Sequence, residues 1–148
     1  MKKILMTGLL GFLLSWTTAM AVEVQNWKGL GSVQTAYGQE TNCEASFSFS
    51  RSPKELEIVA YSMTCSGSTI EVFPLHFEIV GNELRLGGEV VGNVSADSFH
   101  FKLADEGISG LEMDTKISDK GVMEQLVIMP DLLGSGMDVR ATSSLHLQ

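Results

Sequence analysis

From Asn42 to Cys65 the chain reads NCEASFSFSRSPKELEIVAYSMTC, with apolar residues on every second position either side of a polar RSPKE segment. Alternation with a period of two is the mark of a strand with one buried face. Folding the segment about RSPKE sets Phe49 opposite Val59, Phe47 opposite Tyr61, Ala45 opposite Met63 and Cys43 opposite Cys65. The other face sets Asn42, Glu44, Ser46, Ser48 and Ser50 against Ile58, Ala60, Ser62 and Thr64. Cysteines directly opposed across an antiparallel pair lie within disulfide reach, so a Cys43–Cys65 bridge is expected.

The same period runs through the rest of the chain. In FEIVGNELRL, Gly81-Asn82 separates two alternating runs as a two-residue turn that needs positive φ. It pairs Phe77 with Leu86 and Ile79 with Leu84, and leaves Glu78 and Arg85 as an outward ion pair. Leu84, Leu86, Gly88, Val90, Gly92 and Val94 continue one face along what is expected to be a single long strand, its glycines marking bends or bulges. SADS then turns the chain back into Phe99, Phe101 and Leu103, and beyond ADEG the next strand carries Leu111, Met113, Thr115 and Ile117. After SDKG the inward set is Val122, Glu124, Leu126 and Ile128, unless a bulged turn at Gly121 reverses the face in favour of Met123, Val127 and Met129. PDLLGSG interrupts the pattern, and a last strand places Val139, Ala141, Ser143, Leu145 and Leu147 on one side. With a first strand from Trp27 to Tyr37, the count is about 8–10 strands.

Successive hairpins with one apolar face must bring those faces together. The expected fold is therefore all-β, an antiparallel up-and-down meander closed into a barrel, with a β-sandwich as the alternative. No helical apolar stripe of useful length follows the first 21 residues.

Those 21 residues change the picture of where the protein works. Lys2 and Lys3 precede an apolar run from Ile4 to Trp16, and Ala19-Met20-Ala21 offers small-residue cleavage, which together describe a signal peptide. The run is short for a membrane anchor, and no cysteine stands at the cleavage point for lipid attachment. The mature chain is expected to be one β-barrel domain over residues 22–148, exported to a periplasmic or external space where a disulfide persists. Cleavage removes two lysines and no acid, taking the formal charge from −8 to −10. Binding to nucleic acid or to anionic membranes calls for the opposite sign. An outer-membrane barrel would share the period, but it needs aromatic girdles, and residues 22–148 hold one Trp and two Tyr.

Trp27-Lys28-Gly29-Leu30-Gly31 resembles the W-x-G-x-G start of small lipocalin-like (calycin) barrels such as the nitrobindin-like group, a match of five residues supported by the strand meander. The resemblance implies a Trp that closes one barrel end, glycines that let the first strand curve, and an interior that binds an apolar or planar ligand, haem in the nitrobindin case. Haem needs an inward axial ligand. By parity, His76, His100 and His146 all face outward, so neither haem nor another cofactor is expected.

Catalytic chemistry finds no constellation. The cysteines are committed to a bridge, the histidines point away from the interior, and no nucleophile elbow, phosphate loop or metal-ligand spacing occurs. The acids Asp105, Glu106, Glu112, Asp114 and Asp119 form a solvated face rather than a calcium site. The chain is thus expected to be a non-enzymatic binder of a small hydrophobic ligand, lined by Phe47, Phe49, Tyr61, Phe77, Leu86, Phe99 and Phe101, with Thr115 and Glu124 as polar contacts. The competing expectation is a binding or inhibitory module that meets a basic protein partner through its acidic surface around a solid core.

Overall fold

The computed structural model describes residues 22–104, 110–131 and 134–148; the segment 1–21 expected to be a signal peptide and the Asp105-Glu106 pair lie outside them. Eleven strands follow in order: β1 Val24–Thr35, β2 Gly38–Arg51, β3 Glu55–Cys65, β4 Ser68–Val72, β5 Leu75–Val80, β6 Glu83–Leu86, β7 Glu89–Val94, β8 Ser98–Lys102, β9 Glu112–Ile117, β10 Val122–Met129 and β11 Val139–Leu147. All pairings are antiparallel within one sheet, ordered β2-β1-β11-β10-β9-β8-β7-β6-β5-β3-β4, and a further β2–β3 pairing joins the ends. Ten strands thereby form a hydrogen-bonded ring with β4 attached outside the circuit. The fold is the expected meander, and a single sheet replaces the sandwich alternative.

The ring is not even around its circumference. β5 pairs with the first half of β3, from Glu55↔Glu78 to Ile58↔Leu75, and β4 pairs with the second half, from Tyr61↔Val72 to Cys65↔Ser68. β4 and β5 keep one register against β3 and act as one strand broken at Phe73-Pro74, where proline removes a ladder donor. Only the β5 half has a second partner, in β6. The ring is therefore continuous through β5, and its upper rim, at β4, is less closed.

Three local devices depart from simple alternation. The β2–β3 register holds as expected from Glu44↔Thr64 to Ser48↔Ala60, then shifts at a bulge so that Phe49 faces Ile58 rather than Val59. Ile58 and Leu56 consequently turn into the core while Val59 is half-buried, which is the reverse of the expected faces. Second, the expected single strand over 84–94 is two strands, because Gly87 and Gly88 both take positive φ (60° and 87°) and form a tight hairpin turn. Third, Gly121 at φ 73° reverses the face of β10, so Met123, Gln125, Val127 and Met129 point in and Val122, Glu124, Leu126 and Ile128 do not.

Leu84 and Val94 are buried as expected, but Val90, beyond the Gly87-Gly88 turn, is exposed rather than inward; the later inward faces match the alternation. Phe99, Phe101, Leu103, Leu111, Met113 and Thr115 are buried, as are Val139, Ala141, Ser143 and Leu145; Leu147, at the strand end, is exposed. Gly29, opposite Leu145, permits the sharp curvature of β1, because a Cβ there would collide with the Ser144 carbonyl oxygen of β11. Trp27 is buried among the core residues, its Nε1 donating to Gln25 Oε1 at 3.3 Å, at the end of the ring where the start of β1 meets the end of β11. The Cys43–Cys65 disulfide is present, with Cα atoms 4.4 Å apart. A structural bridge of this kind is a feature of extracytoplasmic proteins.

Candidate functional site

Strand direction sorts the connections to two ends of the ring. The β1–β2 and β3–β4 turns and the β8–β9 and β10–β11 connections share one rim; the β2–β3, β5–β6, β7–β8 and β9–β10 turns share the other with Trp27. At the Trp27 end the Arg51 guanidinium donates to the Ser95 carbonyl, tying β2 to the β7–β8 turn. At the opposite rim is a cleft of about 410 Å3, lined by Val33, Thr35, Tyr37, Gly38, Gln39, Glu40, Cys65, Ser68, Thr69, Ile70 and Val139. Val33, Cys65 and Val139 are inward-facing core residues, so the floor of the cleft is the top of the barrel core. Tyr37 stands over it, 80% exposed. In the connection into β11, the Asp131 carboxylate accepts the backbone N–H groups of Gly136 and Ser135 at 2.7 and 2.6 Å, which holds that carboxyl below its ordinary pKa.

The six aromatic candidates all lie in the core and pack on one another. Phe47 stacks on Phe49 with ring centres 5.4 Å apart and meets Tyr61 and Phe99 edge-on or tilted at 6.4 and 6.2 Å. Phe49 also meets Phe99, at 5.8 Å, and Phe77 meets Phe101 at 4.7 Å. Such contacts add to the apolar burial of each ring. Leu86 is only partly buried, packed against this core from the rim of the β6–β7 hairpin. None of these side chains lines the rim cleft.

The polar contacts differ from the expected pair. Thr115 is buried, but Glu124 is exposed because β10 presents the opposite face, and Gln125 takes the inward place. Thr115, Gln125 and Ser143 are directly paired across β9, β10 and β11 and form an inward polar row. Gln125 Nε2 donates to Thr115 Oγ1 at 3.1 Å and approaches Met113 Sδ at 3.6 Å. Gln125 Oε1, Ser143 Oγ and the Tyr61 hydroxyl are buried with no hydrogen-bond partner among the described residues. Exchanging the amide O and N of Gln125 changes which atom is orphaned and not the fact. Each such group costs about 1–3 kcal/mol when nothing meets it, so these atoms are conspicuous in an apolar core. Alternation alone marked Thr115 and Ser143 as inward; Gln125 was hidden by the face reversal at Gly121.

The histidines stand where parity placed them. His76 lies on the outside, 3.6 Å from Glu55, and His100 is half-exposed, 3.7 Å from Glu112, which Lys102 also approaches. His146 is exposed. An axial histidine for haem therefore has no counterpart in the barrel interior. The outward ion pair of Arg85 is with Glu83 on its own strand, at 2.7 Å, rather than with Glu78. Glu40 lies close to the two cysteines, but both sulfurs are spent in the disulfide and are not free to hold a metal. Among known proteins, no family model matches this chain, and neither a curated protein nor a solved structure matches it.

Proposed function

We propose that the protein is an exported, non-enzymatic barrel, cleaved after Ala21, that binds a small hydrophobic ligand entering through the rim cleft. The observation that supports this reading is the cleft itself: its floor is formed by core residues Val33, Cys65 and Val139, and Tyr37 and Ile70 extend its apolar wall. Its volume falls in the range usual for small-molecule sites. The packed aromatics beneath it act as a rigid base, and the disulfide fixes two of the strands that carry the wall.

The test is binding of a fluorescent fatty-acid analogue. Tyr37→Ser, at a position 80% exposed, should leave the fold intact and weaken binding several-fold, whereas Phe73→Ser, 71% exposed and outside the cleft, should leave binding unchanged. Equal binding by wild type and Tyr37→Ser would remove the cleft from the account. The competing reading, a protein-binding or inhibitory module, draws on the same exposed Phe73 and on the formal charge of −10 expected for residues 22–148. Loss of a protein partner in Phe73→Ser with ligand binding absent throughout would favour it.

A further inference from the structure

From the inward polar row we infer that the ligand is an apolar molecule carrying one neutral hydrogen-bonding group, such as a hydroxyl or primary amide, which pairs with Gln125 and Ser143. The inference rests on the proposed interior binding and specifies its chemistry. Gln125 and Ser143 are 4% and 6% exposed, face the interior as direct cross-strand partners, and each keeps an atom that no group among the described residues meets. Cross-strand partners on one face lie about 5 Å apart, close enough for one ligand group to bridge them.

The row also runs toward the cleft. Ser143 pairs with Gly31, Gly31 with Cys43, and Cys43 is bridged to Cys65 in the cleft floor. Beside the row, a Cβ at Gly31 would collide with the Thr142 carbonyl oxygen and lie 2.6 Å from Met63 Cε and 3.1 Å from Ser143 Cβ, so the Met63 methyl packs close to Ser143. Methionine has three rotatable bonds and readjusts readily, so buried Met63 is the neighbour that gives way when a ligand group reaches the row. The buried polar residues are Ser50, Thr115, Gln125 and Ser143, and among the described residues no charged side chain is buried with them. A carboxylate or ammonium head would enter the core without a counter-charge, which is strongly unfavourable. A neutral head avoids that cost.

The experiment displaces the neutral apolar probe N-phenyl-1-naphthylamine with 1-decanol, 1-chlorodecane or decanoate, on wild type, Ser143→Ala and Gln125→Leu. Decanol affinity should fall about fivefold in each variant, the effect of losing one net hydrogen bond, while chlorodecane affinity does not fall. Decanoate should displace the probe from wild type more weakly than decanol. Ser143→Ala removes a single oxygen and supplies the result if Gln125→Leu fails to fold. Unchanged decanol affinity in Ser143→Ala, or decanoate binding tighter than decanol, overturns the assignment of the row while leaving interior binding standing. Failure of the probe to bind wild type at all overturns the interior reading and this inference with it.

Discussion

Tyr61 carries its hydroxyl into the core, where burial pushes its pKa well above the ordinary phenol value. The native state therefore holds that proton more tightly than the unfolded chain does. Stability from this group is complete below the ordinary value of about 10 and declines as pH rises past it, where only the unfolded chain ionises. Denaturant midpoints measured between about pH 8 and pH 11 should fall in wild type and fall less steeply in Tyr61→Phe. Parallel slopes would mean that the hydroxyl reaches solvent. The paired rings of Phe77 and Phe101, both 0% exposed, lead to a different expectation. Phe101→Ala should cost about 3–5 kcal/mol in urea unfolding, because lost contacts and the residual cavity add. Outward Arg85→Ala, which breaks only a surface pair with Glu83, should cost less than about 1 kcal/mol.

At the scale of elements, the β2–β3 hairpin shows why much of the fold was legible. Its central pairs, Ala45↔Met63 and Phe47↔Tyr61, follow from alternation alone, because a one-residue slip would expose Phe47 and Tyr61 together. The disulfide at its open end agrees with that register. What alternation does not encode is a shift of phase along the strand, and that is how two of the three local departures arose. The bulge at Val59 moves Leu56 and Ile58 to the opposite face, and the turn at Gly121 does the same for Met123 to Met129. At Gly87-Gly88 the glycines signal a bend equally well as a turn; only the positive φ of both makes it a hairpin. Gly88→Ala has open space for its methyl, so its cost should come from the backbone alone, about 1–2 kcal/mol in thermal or urea unfolding. The disulfide joins cysteines 22 positions apart in sequence and should contribute roughly 3 kcal/mol. Thiol labelling of the unfolded, unreduced protein should find no free cysteine, and two reactive thiols would contradict the hairpin.

At the scale of the whole molecule, closure into a ring follows from many one-faced hairpins, but the candidate site does not. The rim cleft is assembled from Val33 and Tyr37, the β3–β4 turn and Val139, segments about a hundred residues apart along the chain, and no single motif announces it. Only the strand directions bring those turns to one end. The polar row was half visible in Thr115 and Ser143, and its third member appears once the face of β10 is known. In the proposed function this ring carries one small apolar molecule. Native mass spectrometry of the protein isolated from its own source, without organic solvent, tests that claim most directly. The expected result is a chain beginning at Val22 with one bound small molecule that is released on denaturation and extracts into an apolar solvent. A bare chain of that mass, which takes up no apolar probe when one is added, would contradict it.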